Sequence, residues 1–435
     1  MSMAIPFRAG LPLEWETQTV RPSLRRTPEF SLLLAICWLL GLTCFSMPGR
    51  GGPLDMGAVD LIALGKIAAR GGSLLGLGII LFRMHDHVRV SPVLARLVPF
   101  LLFACWCVTS FLWSNMKAVS FGHAIEVFTL TLLSIVTALL CSSEEGTDSI
   151  LRTLFLTCLV ICVAILVLDF HAIAAGERPS GYMHPNTLGA VSSTGAIVLI
   201  GSRLLWNWGW TRSMWLPGLA ICLVALYVSR SRSSLLATFI VLTILFVVRR
   251  QMWFLTIMVA AAGFLIALFP YVDAINHVPD HVGAYILRGQ TNKDLMGGSG
   301  RDELWAIALQ SFKDSPWFGH GYFTITSSGS LFVWNKQQFQ TAHNLALHLL
   351  TGTGIFGTAL FVWGIAAALK PCFQKWRLMS HDRAVEFLGL LILIWFLVLG
   401  AFEISLLGPL DPAVVSFFIA LGIVVGTSVT REMAG

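Results

Sequence analysis

Four arginines and a histidine carry the chemical signal. Ser229-Arg230-Ser231-Arg232-Ser233-Ser234 sets two guanidiniums among four hydroxyls. Guanidinium forks match phosphate oxygens, and backbone N–H groups at the start of a following helix add to such a site. A serine-capped polar turn accounts for the hydroxyls but not for the arginines. Arg178 opens the stretch Arg178-Pro-Ser-Gly-Tyr-Met-His-Pro-Asn-Thr-Leu-Gly189. There Pro179 and Gly181 favour a turn, Pro185 fixes the chain before a helix, and Asn186 or Thr187 can cap that helix. His184 suits a structural or substrate-orienting role. Ser299-Gly-Arg-Asp302 has capping-box spacing, and Leu304, Ile307, Ala308 and Phe312 form an apolar stripe up to Pro316. Arg301 then stands in a first helical turn, where the dipole opposes a cation. A bound anion offsets that, or a salt bridge to Asp302 or Glu303. Thr341-Ala-His343-Asn344 precedes another helix. A helix N-terminus disfavours the charged imidazole, so His343 there suits a proton acceptor, or it merely caps the helix. His348 lies about 140° round the helix from it, on another face. His343 is the candidate base.

These residues must be held by a membrane bundle. Of the 435 residues, 56% are hydrophobic and 12% charged, with a mean hydropathy of +0.77. An ordinary soluble domain is about 25% charged. A soluble globule, a disordered chain, a disulfide scaffold and a nucleic-acid-binding module are all excluded. A bilayer core takes roughly 20 apolar residues per helix. Spans are expected near 30–47, 57–82, 93–114, 118–141, 150–170 and 186–205, then 214–229, 233–248, 252–269, 343–369, 385–402 and 412–429. The chain therefore reads as an all-α polytopic membrane protein with about 12 transmembrane helices. Asp60, Lys66, Arg70 and Gly71-Gly72 interrupt the second stretch, which suits an interfacial helix followed by a short span.

Most lysines and arginines fall on one set of alternate loops, so both termini are expected in the cytoplasm and the long 270–342 segment outside. The division is a cytoplasmic segment 1–29, helices one to nine over 30–269, the outer loop 270–342, helices ten to twelve over 343–429 and a tail 430–435. Residues 1–29 are polar and lack the apolar core of a signal peptide. The nine cysteines avoid the long loop, and no spacing suggests a metal site or a P-loop. Arg178, Arg230 and Arg232 break the charge rule by lying at the outer surface. Each alone could snorkel to lipid phosphates; three beside the one large outer loop favour a shared anionic ligand.

The order of motifs resembles the O-antigen ligase and O-antigen polymerase superfamily. The resemblance rests on Arg178…His184-Pro-Asn-Thr-Leu-Gly, Ser231-Arg-Ser-Ser-Leu-Leu-Ala237 and Gly300-Arg-Asp-Glu-Leu-Trp305. Pro316-Trp-Phe-Gly-His-Gly-Tyr322 and His343-Asn344…Gly352-Thr-Gly-Ile-Phe-Gly357 complete it. It runs from about 110 to 360, and the Trp113-Ser114 pair is similar to the exopolysaccharide-polymerase-like branch. The resemblance implies a GT-C-like fold with one large periplasmic loop containing short helices, in a bacterial inner membrane, with the active site facing the periplasm. It implies a donor glycan on undecaprenyl diphosphate and an acceptor hydroxyl on a lipid A core or on a lipid-linked glycan, with no nucleotide sugar, metal or other cofactor. By the same resemblance Arg232 and Arg301 hold the diphosphate, with Arg230 two residues from the family position. His343 is the catalytic histidine. From the residues themselves, Arg230, Arg178, His184 and Asn344 are expected to bind substrate.

Attack opposite the diphosphate inverts the anomeric centre. None of Asp273, Asp280, Asp294, Asp302, Glu303 and Glu403 shows a clear partner that would make it the base. Phe323, Phe332, Trp334 and Phe339 suit sugar stacking or lipid contact. A transporter of an anion or a lipid-linked oligosaccharide is the competing reading; such proteins place their charges near the bilayer midplane. A scaffold leaves the arginines unexplained.

Overall fold

The computed structural model describes residues 28–43, 45, 61–87, 89–141, 143–206, 209–268, 301–333, 337–339, 341–374, 383–404, 407 and 410–434. The first ten helices are α1 (Pro28–Leu42), α2 (Leu61–Arg83), α3 (Val90–Thr109), α4 (Lys117–Leu140), α5 (Glu144–Leu168), α6 (Phe170–Ala174), α7 (Pro185–Leu205), α8 (Gly209–Ser229), α9 (Arg232–Val248) and α10 (Met252–Leu268). Four more follow: α11 (Arg301–Asp314), α12 (Leu345–Gln374), α13 (Ala384–Gly400) and α14 (Pro412–Ala434).

Among the described residues eight helices are long and apolar enough to cross a membrane, and α1, α9 and α13 are shorter apolar helices. The chain is an all-α polytopic membrane protein. The second expected stretch differs from its reading: α2 is one continuous helix through Arg70 and Gly71-Gly72. Polar side chains are accommodated because Arg70 pairs with Glu126 of α4.

The bundle is built around α7 and α14, the most enclosed spans. Helix α7 packs on α5, α8, α9 and α13, and α14 on α4 and α13. The buried run Gly189-Ala-Val-Ser-Ser-Thr-Gly-Ala196 explains why α7 can sit centrally. Small residues let helix backbones approach closely where lipid supplies no hydrophobic drive between helices.

Residues 269–300 and 334–336 lie outside the described residues, and with them Asp273, Asp280, Asp294, Ser299, Gly300 and Trp334. The described part of the 270–342 segment holds α11 and an antiparallel pair, β1 (Leu331–Val333) and β2 (Gln337–Phe339). Leu304, Ala308, Ile325, Leu331 and Ala342 give it a small core of its own. The indole N–H of Trp305 donates to the Ala342 carbonyl at 3.0 Å, tying α11 to the residue before His343.

Helix α12 is interrupted at Gly354, whose φ is +66°. A Cβ there would stand 2.2 Å from the Trp317 carbonyl oxygen, so the position requires glycine. The Pro316–Tyr322 motif fills the break. His320 N–H donates to Thr351 O at 2.9 Å, Gly321 N–H to Gly352 O at 3.0 Å, and Ile355 N–H to Pro316 O at 2.8 Å. Backbone groups freed by the kink are thereby satisfied, and the first turns of α12 are held in place.

Candidate active site

All the site residues but Arg178, which lies in the loop before α7, stand at or near a helix end. At α7, His184 is the cap: its Nδ1 accepts from Asn186 N–H at 3.2 Å, with Pro185 as the first helical residue. The expected caps Asn186 and Thr187 do not serve, because His184, two residues before Asn186, has taken the orphan N–H. Asn186 is thereby released to bridge. Its Oδ1 accepts from Arg178 Nη2 at 3.2 Å, and its Nδ2 donates to Glu403 Oε1 at 2.7 Å. Arg178 Nε also donates to the Ser229 carbonyl at 3.2 Å.

Between α8 and α9 the chain turns in two residues. Arg230 adopts a left-handed φ of +49°, and Ser231 caps α9 by accepting from Ser234 N–H. Arg232 is the first residue of α9, and Arg230 Nη2 donates to Gly176 O at 2.6 Å. The serine-cap reading of this segment holds, and the two arginines flank the cap. Helix α7 reaches this turn through Gly189, where a Cβ would meet Ser231 Cβ at 2.6 Å.

Arg301 is the first residue of α11, as the spacing predicts, but it pairs with neither Asp302 nor Glu303. Its Nη2 donates to Glu403 Oε1 at 3.1 Å. His343 lies just before α12 with a left-handed φ of +47°, and its Nδ1 faces Glu403 Oε2 at 3.0 Å. A carboxylate only accepts, so Nδ1 carries the hydrogen, and in the neutral ring Nε2 is the acceptor. Asn344 caps α12 through Leu347 N–H at 3.1 Å, and its Nδ2 donates to Ala401 O at 3.1 Å.

The centre that sequence reasoning missed is Glu403. It lies in the turn between α13 and α14 with its side chain 7% exposed, and it joins Asn186, Arg301 and His343. Those partners are 217, 102 and 60 residues away, so no local spacing could have signalled them. The available signal was one acidic residue closing an apolar helix.

Charge is unbalanced around this carboxylate. Arg178 has its pKa lowered by removal from water and then by Arg230 and Arg232, with Glu403 acting the other way. Arg232 and Arg301 also repel one another, and His184 lies in range of Glu403, Arg178 and His343. Arg178 and Arg301 thus share one carboxylate, with Arg230 and Arg232 in electrostatic range of Arg178, an arrangement suited to a multiply charged anion. Among the described residues no group of three or more His, Cys, Asp or Glu is arranged to hold a metal ion.

Other expectations fall elsewhere. His348 is buried on another face of α12, beside Tyr322 and Phe323. Phe323, expected to stack on sugar or lipid, is 4% exposed and covers His123 with ring centroids 3.9 Å apart. Phe323 is withdrawn because Tyr322, its neighbour, is anchored inside the bundle: its hydroxyl donates to Leu407 O at 2.7 Å.

Residues 217–362 match the O-antigen ligase family. The match supports the O-antigen ligase and polymerase superfamily, and with it glycan transfer of that general type by a multi-pass membrane enzyme. It takes in Arg230, Arg232, Arg301, His343 and Asn344, while Arg178, His184, Asn186 and Glu403 lie outside it. No curated protein matches the chain.

Proposed function

We propose that this O-antigen ligase-type protein transfers a glycan from undecaprenyl diphosphate to a sugar hydroxyl on a lipid A core or a lipid-linked glycan. The observation that carries the reading is the convergence of Arg178, Arg301, His343 and Asn186 around Glu403, with Arg230 and Arg232 alongside. In this reading the arginines hold the diphosphate and neutralise the charge that grows on its bridging oxygen. Fixed charges in a dry site give the largest share of such rate enhancement. His343 Nε2 takes the acceptor's hydroxyl proton. The acceptor oxygen forms its bond to the anomeric carbon as the carbon–oxygen bond to diphosphate breaks, and the electron pair leaves with the diphosphate. The anomeric centre inverts. Glu403 holds the imidazole by its Nδ1 hydrogen and stabilises the imidazolium that forms.

No nucleotide sugar or metal enters this scheme. The distribution of lysine and arginine supports cytoplasmic termini and an outer 270–342 loop; the O-antigen ligase reading makes that membrane a bacterial inner membrane, with the loop and the site on its periplasmic side. Purified protein supplied with an undecaprenyl-diphosphate glycan and an acceptor, in the presence of a chelator, tests the proposal. Product is expected from the native chain, with inverted linkage by NMR. His343→Ala is expected to lose a factor of about 10² to 10⁴, the usual contribution of a general base. Retention at the anomeric carbon, or full activity of that variant, would sink the mechanism. In cells, loss of a polymerase leaves single repeat units on the surface, whereas loss of a ligase leaves a bare core.

A further inference from the structure

A second polar cluster lies inside the bundle, apart from the arginine site. Arg70 of α2 pairs with Glu126 of α4, and Glu126 Oε2 also accepts from His123 Nδ1 at 2.9 Å and from Leu410 N–H at 3.1 Å. Ionisable residues inside apolar spans are costly and mark function by default. These three line a cleft of about 450 Å³ whose other walls are apolar, among them Leu40, Ile67 and Ile125. That volume is in the range of ligand pockets.

Two independent features say what the cleft accepts. The first is hydrogen-bonding capacity. Glu126 receives three donors, whereas the buried Nε of Arg70 has no partner. A guanidinium carries five donors, so the capacity left over is for an acceptor. The second is the glycines. Gly71 and Gly122 line the cleft from facing helices, and a Cβ on either would meet nothing within 4 Å. Glycines in membrane helices ordinarily let backbones close together; these two instead widen a gap. Open space with apolar walls and a guanidinium that is 32% exposed suits a molecule with an acceptor-rich head and a hydrocarbon tail.

We infer that the cleft between α2 and α4 binds a lipid through its phosphate head, which Arg70 and His123 receive, while the chain lies along Leu40, Ile67 and Ile125. This site does not depend on the transfer reaction proposed above, and its occupant is either a membrane phospholipid or a polyprenyl phosphate.

Photo-crosslinking of the full chain in nanodiscs tests it. A phosphatidylglycerol with a diazirine in its acyl chain is expected to label peptides from 61–83 and 117–140, and a diazirine diacylglycerol without phosphate to label them far less. Gly122→Phe fills the gap without touching the ion pair, and Arg70→Gln removes the cation. Each is expected to cut labelling roughly tenfold, the equivalent of one charge-assisted hydrogen bond. Arg70→Lys should restore part of it, and thermal unfolding of each variant confirms that it is folded. Competition by polyprenyl phosphate assigns the site to that lipid; its failure to compete assigns it to phospholipid. Equal labelling by the two probes, or labelling unchanged in folded Gly122→Phe, overturns the inference.

Discussion

At the scale of single residues, the decisive contact is one that leaves both partners dependent on it. Glu403 fixes which nitrogen of His343 carries hydrogen, so exchanging its carboxylate for an amide attacks the proposed base without removing it. Glu403→Gln keeps the shape but can present an N–H to Nδ1, which favours the wrong tautomer. We expect kcat to fall by about 10² to 10⁴ with little change in donor KM, since the loss is in proton transfer and orientation. Steady-state kinetics over a range of donor concentrations checks this, and a KM-dominated defect would contradict it. Asp411 permits a pH prediction. It caps α14 through Val414 N–H at 2.8 Å and meets Thr187 Oγ1 at 3.4 Å, and removal from water raises its pKa to about 6. A carboxyl that binds its proton more tightly when folded favours the folded state fully below about 4, and that contribution is lost as pH rises through about 6. Asp411→Asn should flatten the fall in Tm between those limits while leaving the rest of the pH profile in place. An unchanged slope in a detergent-solubilised melt would show that other groups set it.

At the scale of elements, the site is held by turns that are themselves clamped. Tyr322 is buried, its backbone N–H takes Ser110 Oγ at 2.8 Å, and its hydroxyl reaches Leu407 O in the turn that carries Glu403. Glu126 grips Leu410 of the same turn from inside the bundle. Tyr322→Phe removes one buried hydrogen bond and leaves the Leu407 carbonyl unpaired, a loss of about 1–3 kcal/mol. Stability and activity should fall together here, unlike in Glu403→Gln, because the whole turn loosens. Gly354→Ala is a harsher test. The residue needs a positive φ and lies against the Trp317 backbone, so the insertion of Pro316–Tyr322 into α12 must shift. The strain alone is of order 1–3 kcal/mol, and displacement of His343 adds a loss of activity; a native melting temperature in this variant would contradict the clamp.

At the scale of the molecule, the sequence revealed the membrane architecture and most residues of the candidate site for one physical reason. In a chain only 12% charged, every cation at a helix end is conspicuous. Arg178, Arg230, Arg232, Arg301 and His343 stood out in this way, all but Arg178 within two residues of a helix start. Glu403 and the bridging role of Asn186 did not, because their meaning lies in contacts between α7, α11, α12 and the α13–α14 turn, far apart in the chain. Phe323 misled for the converse reason: an aromatic residue in a polar segment looks exposed until the fold buries it. The charge imbalance that made the arginines visible also yields a prediction for the whole protein. Arg230 and Arg232 repel Arg178, and Arg301 repels Arg232, and a diphosphate relieves that repulsion only in the folded state. Inorganic diphosphate should therefore raise the melting temperature, by an amount equivalent to about 2.7 kcal/mol at a hundred times its Kd, and inhibit transfer competitively with the donor. Added salt should weaken both effects through screening. Arg232→Ala and Arg301→Ala should each lose most of the thermal shift, yet melt no lower than the native chain without ligand by more than the loss of one ion pair. A shift of equal size in those variants would place the anion elsewhere and detach the arginines from the donor's diphosphate.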